Sequence, residues 1–302
     1  MDAKVSRGGS MKVAYHAPVL LQDAIQGLLI DPRGTYVDAT FGGGGHTRAI
    51  LAHLGPAGRL YGIDKDPEAP LHEVQDERFH AIRGDFRDLR ALLTEEGVYA
   101  VHGILADLGI SSHQVDTPER GFSYRYEAPL DLRMNPRAGD PAWLWLGRQT
   151  VSSLSAVLRT YGDLPKSHRL AEVILQRWYS GFTTQALVAC ARTVYGKAAE
   201  HFLAPLFQAI RIVINDELGA LELLLSAARD LLIQGGRLVV LTYHSGEARL
   251  LKAHLRQPKE MNPITGQQSA HWRLLSKIRP SAIEIAQNPR SRSATLWIAE
   301  KL

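Results

Sequence analysis

The sequence predicts an α/β protein in which a mostly parallel, doubly wound sheet is interrupted by a stretch of helices. Three observations carry this. Short apolar runs alternate with helical spacing over residues 36–107, the pattern of βαβ units. From about residue 124 to 203 strand character disappears. The alternation then resumes, and the run Leu-Val-Val-Leu-Thr-Tyr at 238–243 is as apolar as a central parallel strand requires.

Each element has a local reason. Residues 35–39, 59–63 and 103–106 read as buried strands ending near an acidic residue, and a further strand precedes Gly84. Residues 47–54 read as a helix closed by Gly55-Pro56, a stop signal. In the middle stretch, residues 143–146, 151–160, 166–178 and 184–194 have helical spacing, with Thr183 or Thr184 available as N-cap. A long helix is expected over 205–232, ending at Gly235-Gly236. A strand over 237–243 and a last one at 294–299 follow.

Composition excludes several classes. The 302 residues are 45% apolar and 22% charged, ordinary for a globular protein. The only cysteine, Cys190, permits no intramolecular disulfide and no cysteine-rich metal site, and it fits a reducing compartment. The histidines are scattered, so no metal is expected. The first ten residues are polar and Gly/Ser-rich, and no window approaches the ~18 apolar residues of a membrane span. The expectation is a cytoplasmic protein with a flexible segment over 1–14 and no membrane partner. The net charge of +4 is uneven, with ten Lys/Arg against three Asp/Glu from Ala248 onward. That asymmetry suits either a polyanionic partner or a solvated basic face.

The chemistry begins at Tyr36-Val-Asp-Ala-Thr-Phe-Gly-Gly-Gly-Gly-His46. Four glycines between a strand and a helix let backbone approach a ligand closely. They do not fit G-x-G-x-x-G in either frame, because Thr47 or Arg48 takes the third glycine position, which disfavours a dinucleotide oxidoreductase. Asp64 ends the second strand, where a carboxylate can accept hydrogen bonds from both ribose hydroxyls of a nucleoside. It also suits a helix N-cap before Pro67. Gly84-Asp85-Phe86 offers a carboxylate and an aromatic face for adenine. Asp107 ends the fourth strand, where open α/β sheets place ligands. Together these strand ends point to an S-adenosyl-L-methionine-dependent methyltransferase.

Several blocks in fixed order carry a resemblance. They are His16-Ala-Pro-Val-Leu-Leu, the run from Asp38 to His46, Asp107-Leu-Gly-Ile-Ser-Ser-His-Gln114 and Glu119-Arg-Gly-Phe-Ser123, then Pro129-Leu-Asp-Leu-Arg-Met134, Phe207-Gln-Ala-Ile-Arg211, Tyr243-His-Ser245 and Asn288-Pro-Arg-Ser-Arg-Ser293. From about residue 15 onward the chain closely resembles the RsmH (MraW) family, which methylates N4 of a cytidine in the decoding centre of bacterial 16S rRNA. The resemblance implies a class I (Rossmann-like) methyltransferase domain over 15–123 and 204–302, with an inserted helical substrate-recognition domain over 124–203. It implies cofactor contacts at Gly44, Gly45, His46, Asp64, Phe86, Asp107 and Gln114. Its implied partner is 16S rRNA within the small (30S) subunit, and a homodimer is left open. The chain departs from the family at Phe202–Pro205 and at Gly246–Ala248, which bears on substrate contact more than on the cofactor.

Methylating an exocyclic amine requires in-line positioning and acceptors for the amino protons. Asp107 is the catalytic candidate, unless it serves the cofactor alone. Methylation at cytosine C5 would need a nucleophilic cysteine, and Cys190 sits in an apolar helical stretch. Asp131 and Arg133 are candidates for the base pocket or for a salt bridge. His244 and Ser245 face the substrate or play a structural part. Tyr124 and Tyr126 stack a flipped base or pack. Arg249, Lys252, Arg256, Arg273, Lys277, Arg279, Arg290 and Arg292 are candidate phosphate contacts. The alternatives are a methyltransferase of another RNA or DNA amine and a non-catalytic ribosome-assembly factor. Asp107-Leu-Gly-Ile stands where amine-methylating DNA enzymes usually carry a Pro-Pro-aromatic tetrad.

Overall fold

The computed structural model describes residues 18–258 and 270–302; the segment 1–14 and His16 lie outside them. Helix α1 (Leu21–Leu28) leads into β1 (Thr35–Asp38), α2 (Gly45–His53), β2 (Arg59–Asp64), β3 (Phe79–Arg83), α3 (Leu89–Glu95), β4 (Val101–Asp107) and the short α4 (Ser112–Asp116). Four helices follow without a strand: α5 (Ala142–Leu146), α6 (Val151–Gly162), α7 (Ser167–Arg177) and α8 (Thr184–Tyr195). Then come α9 (Glu200–Ile214), α10 (Glu217–Leu231), β5 (Leu232–Thr242), α11 (Ser245–Leu255), β6 (Trp272–Ile278), α12 (Ala282–Gln287) and β7 (Thr295–Lys301). Among the described residues, no helix is long and apolar enough to cross a membrane.

The seven strands lie in the order β3-β2-β1-β4-β5-β7-β6. Pairing is parallel from β3 through β5, and β7 is antiparallel to both β5 and β6. This is the mostly parallel class I methyltransferase sheet. The chain runs outward from β1 in one direction and from β4 in the other. The crevice at their carboxyl ends is therefore the topological switch point, where such sheets bind ligands.

Alternation along the strands builds a core on each face. Val37, Ile63, Ile104 and Val240 point to α3 and α10, meeting Leu89, Leu93, Leu221 and Leu224. Tyr36, Leu60, Leu105 and Val239 point to α1 and α2, meeting Ile25, Leu28, Ile50 and Leu51. Each fully buried aliphatic side chain contributes about 1.5–3 kcal/mol of transfer free energy. A third core, with Leu154, Leu170, Phe182 and Leu187, unites the middle helices and extends to Phe207 and Ile210 of α9.

Three expectations change. The helix over 205–232 is two helices, because Asp216 adopts a left-handed conformation (φ 46°). The preceding Asn215 turns its side chain back, accepting from the Met134 amide at 2.7 Å and donating to the Leu132 carbonyl at 2.7 Å. Pro205 lies inside α9 and not at its start, since residues from Glu200 onward already pack, with Leu203 buried. Gly235-Gly236 do not stop a helix; they form an irregularity inside β5, where Gly235 has φ +78° and the register to β4 jumps.

Arg120 fastens the sheet to the helical segment. Its guanidinium is buried, 2.9 Å from Asp66 and 2.6 Å from Glu68 in the β2–β3 connection. It also donates to the carbonyls of Arg133 (3.1 Å) and Met134 (2.8 Å). Arg120→Met would strand Asp66 and two carbonyls inside the protein. We expect a loss of about 3–5 kcal/mol, read as a lower urea midpoint at unchanged m-value.

Candidate active site

The ends of β1, β2 and β4 open onto a cavity of about 990 Å³. Asp38, fully buried at the end of β1, accepts from Thr47 Oγ1 of α2 at 2.7 Å and from the Thr40 amide at 3.2 Å. It thereby clamps the glycine loop between strand and helix. Burial pushes its carboxyl above the ordinary value. Gly42, Gly43 and Gly45 line the cavity. Gly44 turns the chain into α2 with φ +74°, where a Cβ would stand 2.7 Å from the Phe41 ring. Its contribution is conformational, a requirement shared by Gly42 at φ +53°.

Asp64 lines the cavity at the end of β2. One carboxylate oxygen accepts from the Gly42 amide at 2.7 Å and the other from the Asp66 amide at 2.8 Å. Burial raises its pKa to about 6 despite these bonds. Phe86 lines the same wall. Asp85 is turned away, capping the next turn and pairing with Lys65 at 3.3 Å and Arg87 at 3.2 Å. Burial opposes ionisation there, but these two cations hold the carboxyl below its usual value. Asp85 is thus spent on structure, and an adenine contact through its side chain is not what the geometry favours.

Asp107 lines the centre of the cavity. Its Oδ1 accepts from Tyr243 Oη at 2.6 Å, and its Oδ2 lies 3.8 Å from His46 Nδ1. Burial is the main cause that raises its pKa; Asp38 and Glu247 add to this, while His46 and Tyr243 oppose it. His46 is buried, with Nε2 3.3 Å from the Val19 carbonyl, which must accept, so Nε2 carries the proton. Gln114 is also buried and lines the cavity, but both ends of its amide are engaged. It donates to Asp66 at 2.8 Å and accepts from the Ser111 amide at 3.1 Å.

The substrate candidates separate. Arg290 and Arg292 line the cavity, as do Tyr124 and Arg125. Arg290 also reaches Asp116 of α4 at 2.7 Å. Tyr124 meets Phe207 edge-on, and Tyr126 is exposed. Asp131 and Arg133 pair with each other at 2.7 Å, bracing the loop whose Leu132 and Met134 do line the cavity. His244 and Ser245 face a smaller recess of about 400 Å³ together with Gly246 and Arg249. Glu217, His244 and Glu247 each bring a donor atom within 4.8 Å of one another. Arg211 already holds Glu217 at 2.7 and 3.0 Å, and Glu247 accepts from the Tyr243 amide, so this is a charge cluster. Among the other basic candidates, Arg273 pairs with Glu300 and Lys277 sits over the Trp297 ring at 4.6 Å. Tyr243 and Asp66 are the residues that the sequence reasoning left without a role. Adjacency of the strands ending at Asp107 and Thr242 was the available signal for Tyr243.

A glycine loop, an acid at the end of β2 and an acid at the switch point suit a nucleoside cofactor carrying positive charge. The profile of the MraW methylase family matches residues 13–302. The chain is 46% identical to the ribosomal RNA small subunit methyltransferase H of Porphyromonas gingivalis, over 95% of this chain and 97% of that protein. It is 42% identical to the corresponding protein of Bacteroides thetaiotaomicron, over 96% and 98%.

The chain belongs to the MraW methylase family.

S-adenosyl-L-methionine is accordingly its cofactor. Among solved structures, a putative rRNA-methylase from Clostridium thermocellum superposes with a TM-score of 0.44 at 14% identity, covering 93% of this methylase and 95% of that chain.

The raised pKa of Asp64 gives opposite pH trends for binding and folding. A carboxylate that accepts from ribose hydroxyls must be ionised. The affinity of the methylase for S-adenosyl-L-methionine should therefore be flat above pH 6 and fall by up to about tenfold per unit below it. Asp64→Asn should bind more weakly and lose that slope, as isothermal titration would show. For folding, the raised folded-state value means that this group's contribution is fully present below about 3.8 and is lost as pH rises through about 6. In the cofactor-free protein the Asn variant should abolish this component of the stability profile.

Proposed function

We propose that this methylase transfers a methyl group from S-adenosyl-L-methionine to the N4 amine of a cytidine in the decoding centre of 16S rRNA, within the cytoplasmic 30S subunit. The observation that carries the proposal is the shape and lining of the cavity. At about 990 Å³ it stands at the upper end of small-molecule sites, roughly 300–1,000 Å³, which suits a cofactor and a flipped base together. Its lining combines the glycine loop, Asp64, Phe86 and Asp107 with the aromatic side chains of Phe122, Tyr124 and Phe207 and with Arg125 and Arg292. The names of the relatives support ribosomal RNA of the small subunit as the target.

In this reading residues 15–123 and 204–302 form the methyltransferase domain, and 124–203 the substrate-recognition domain, whose apolar core also takes in Phe122 and the α9 residues Leu206, Phe207 and Ile210. Gly44, Gly45, His46, Asp64, Phe86, Asp107 and Gln114 shape the cofactor half, Gly44 and Gln114 chiefly by holding the loops in place. When bound, the cofactor supplies a methyl group already activated on a sulfonium. Asp107 accepts a hydrogen bond from the amine, turning the nitrogen lone pair toward the methyl group. Cys190 supports an amine over C5 as the target. It is buried in the helical core, and burial pushes its thiol up to about 11, so it supplies no nucleophilic thiolate. Arg290 and Arg292 hold the backbone phosphates. Asp131 and Arg133 act through their loop, and His244 and Ser245 through the adjoining recess.

The test is to incubate the protein with labelled S-adenosyl-L-methionine and small subunits lacking the modification, then map the label. A methyl group on a decoding-centre cytidine N4 is expected. Label at C5, on adenine, or nowhere would sink the proposal. The double variant Arg290→Ala/Arg292→Ala should raise KM for the subunit and flatten its dependence on log salt by about one to two. Its affinity for the cofactor should be unchanged.

A further inference from the structure

We infer that Tyr243 is a positioning residue for Asp107, fixing one carboxylate oxygen so that the other meets the ligand. The inference rests on the reading of Asp107 as the acceptor for the substrate amine.

The geometry comes from two neighbouring strand ends. Asp107 closes β4 and is in register with Leu241 of β5, so Tyr243 stands just beyond the adjacent strand. Its hydroxyl donates to Asp107 Oδ1 at 2.6 Å, the length of a strong hydrogen bond to a charged oxygen. Oδ2, 3.8 Å from His46 Nδ1, is beyond hydrogen-bond reach of that ring and is left for a ligand. The phenol is held in place from behind. The Tyr243 amide donates to Glu247 Oε2 at 2.7 Å, and Glu247 is buried within the capping box of α11. From the other side Gly109, at φ +103°, brings the loop after Asp107 close to the ring, where a Cβ would stand 3.5 Å from Tyr243 Cδ2.

The charged surroundings explain why a phenol and not a phenyl ring is needed. Asp107 faces Asp38 from β1, His46 from α2, and Tyr243 with Glu247 from the β5–α11 side. Burial and the two carboxylates favour the neutral acid, while the histidine and the hydroxyl favour the carboxylate. Tyr243 itself faces Asp107, Glu247 and Glu284 of α12. Burial and these acids push its hydroxyl well above the ordinary range, so it remains a donor throughout the working pH range. Deleting the hydroxyl would remove one of the two groups that keep Asp107 ionised.

The decisive measurement is kcat against pH for Tyr243→Phe. The acid limb should move upward by about one to two pH units, the equivalent of one hydrogen bond to a charged group. The variant should then lose about tenfold or more on that limb and converge on the parent at high pH. KM for S-adenosyl-L-methionine and Tm should change little. Incorporating 3-fluorotyrosine at position 243, which strengthens the donor and preserves the shape, should move the limb downward. A loss that is equal at every pH, or no shift in either protein, would overturn the positioning role. Asp107→Asn separates the two layers. If it keeps full activity, Asp107 is not the acceptor and the underlying reading fails. If it loses activity while Tyr243→Phe keeps the parent profile, the inference about Tyr243 fails alone.

Discussion

Three aspartates stand at neighbouring strand ends, Asp64 and Asp107 on the cavity lining and Asp38 fully buried under the glycine loop, and burial pushes each carboxyl above its ordinary value. Concentrating acids where water is scarce is unfavourable unless something cationic shares the space. The protein supplies part of the answer through hydrogen bonds from Thr47, Gly42, Asp66 and Tyr243. A sulfonium and an ammonium group would supply more. A dinucleotide would bring its pyrophosphate into the same field and be repelled. The charge of these carboxylates is thus compatible with a cationic cofactor.

That crevice depends on the helical segment staying in register with the sheet. Arg120 joins the β2–β3 connection to the carbonyls of Arg133 and Met134, and Asn215 ties the same loop to the break between α9 and α10. The break has a second effect. By ending α9 it lets Arg211, on the cavity lining, turn to Glu217 at the start of α10. A continuous helix would have pointed these two side chains, six positions apart, to different faces.

The β1, β2 and β4 strand ends and the four middle helices were legible because apolar spacing and capping residues act over short range. Thr183, for instance, accepts from the Ala186 amide as an N-cap should. The corrections concern glycine, proline and aspartate used in roles that spacing alone does not distinguish. Gly235 bends a strand, Pro205 is absorbed within a helix, and Asp216 breaks one. The contacts that shape the site were harder to see, since Tyr243 and Asp107 are 136 residues apart. Only the strand order makes them neighbours. Asp85 shows the converse: a plausible strand-end acid whose local cations, Lys65 and Arg87, turn it to structure.

The cavity is lined by Asp64 and Asp107 and also by arginines, Arg125 and Arg292 among them. Such a mixed lining suits two ligands of opposite charge. Under the proposed function, a cationic cofactor would settle among the aspartates and a phosphate backbone at the arginines, leaving only a base to extend inward. Bases are neutral and can approach the carboxylates, whereas phosphates cannot. Under the same proposal, entry of a single unstacked nucleotide would be favoured by the placement of charge as well as by the size of the space. Arg290, on the cavity lining, also pairs with Asp116 of α4. Because that pair is partly exposed, its attraction is weak in water. A phosphate at Arg290 would compete for the same guanidinium and leave the half-exposed Asp116 carboxylate to water.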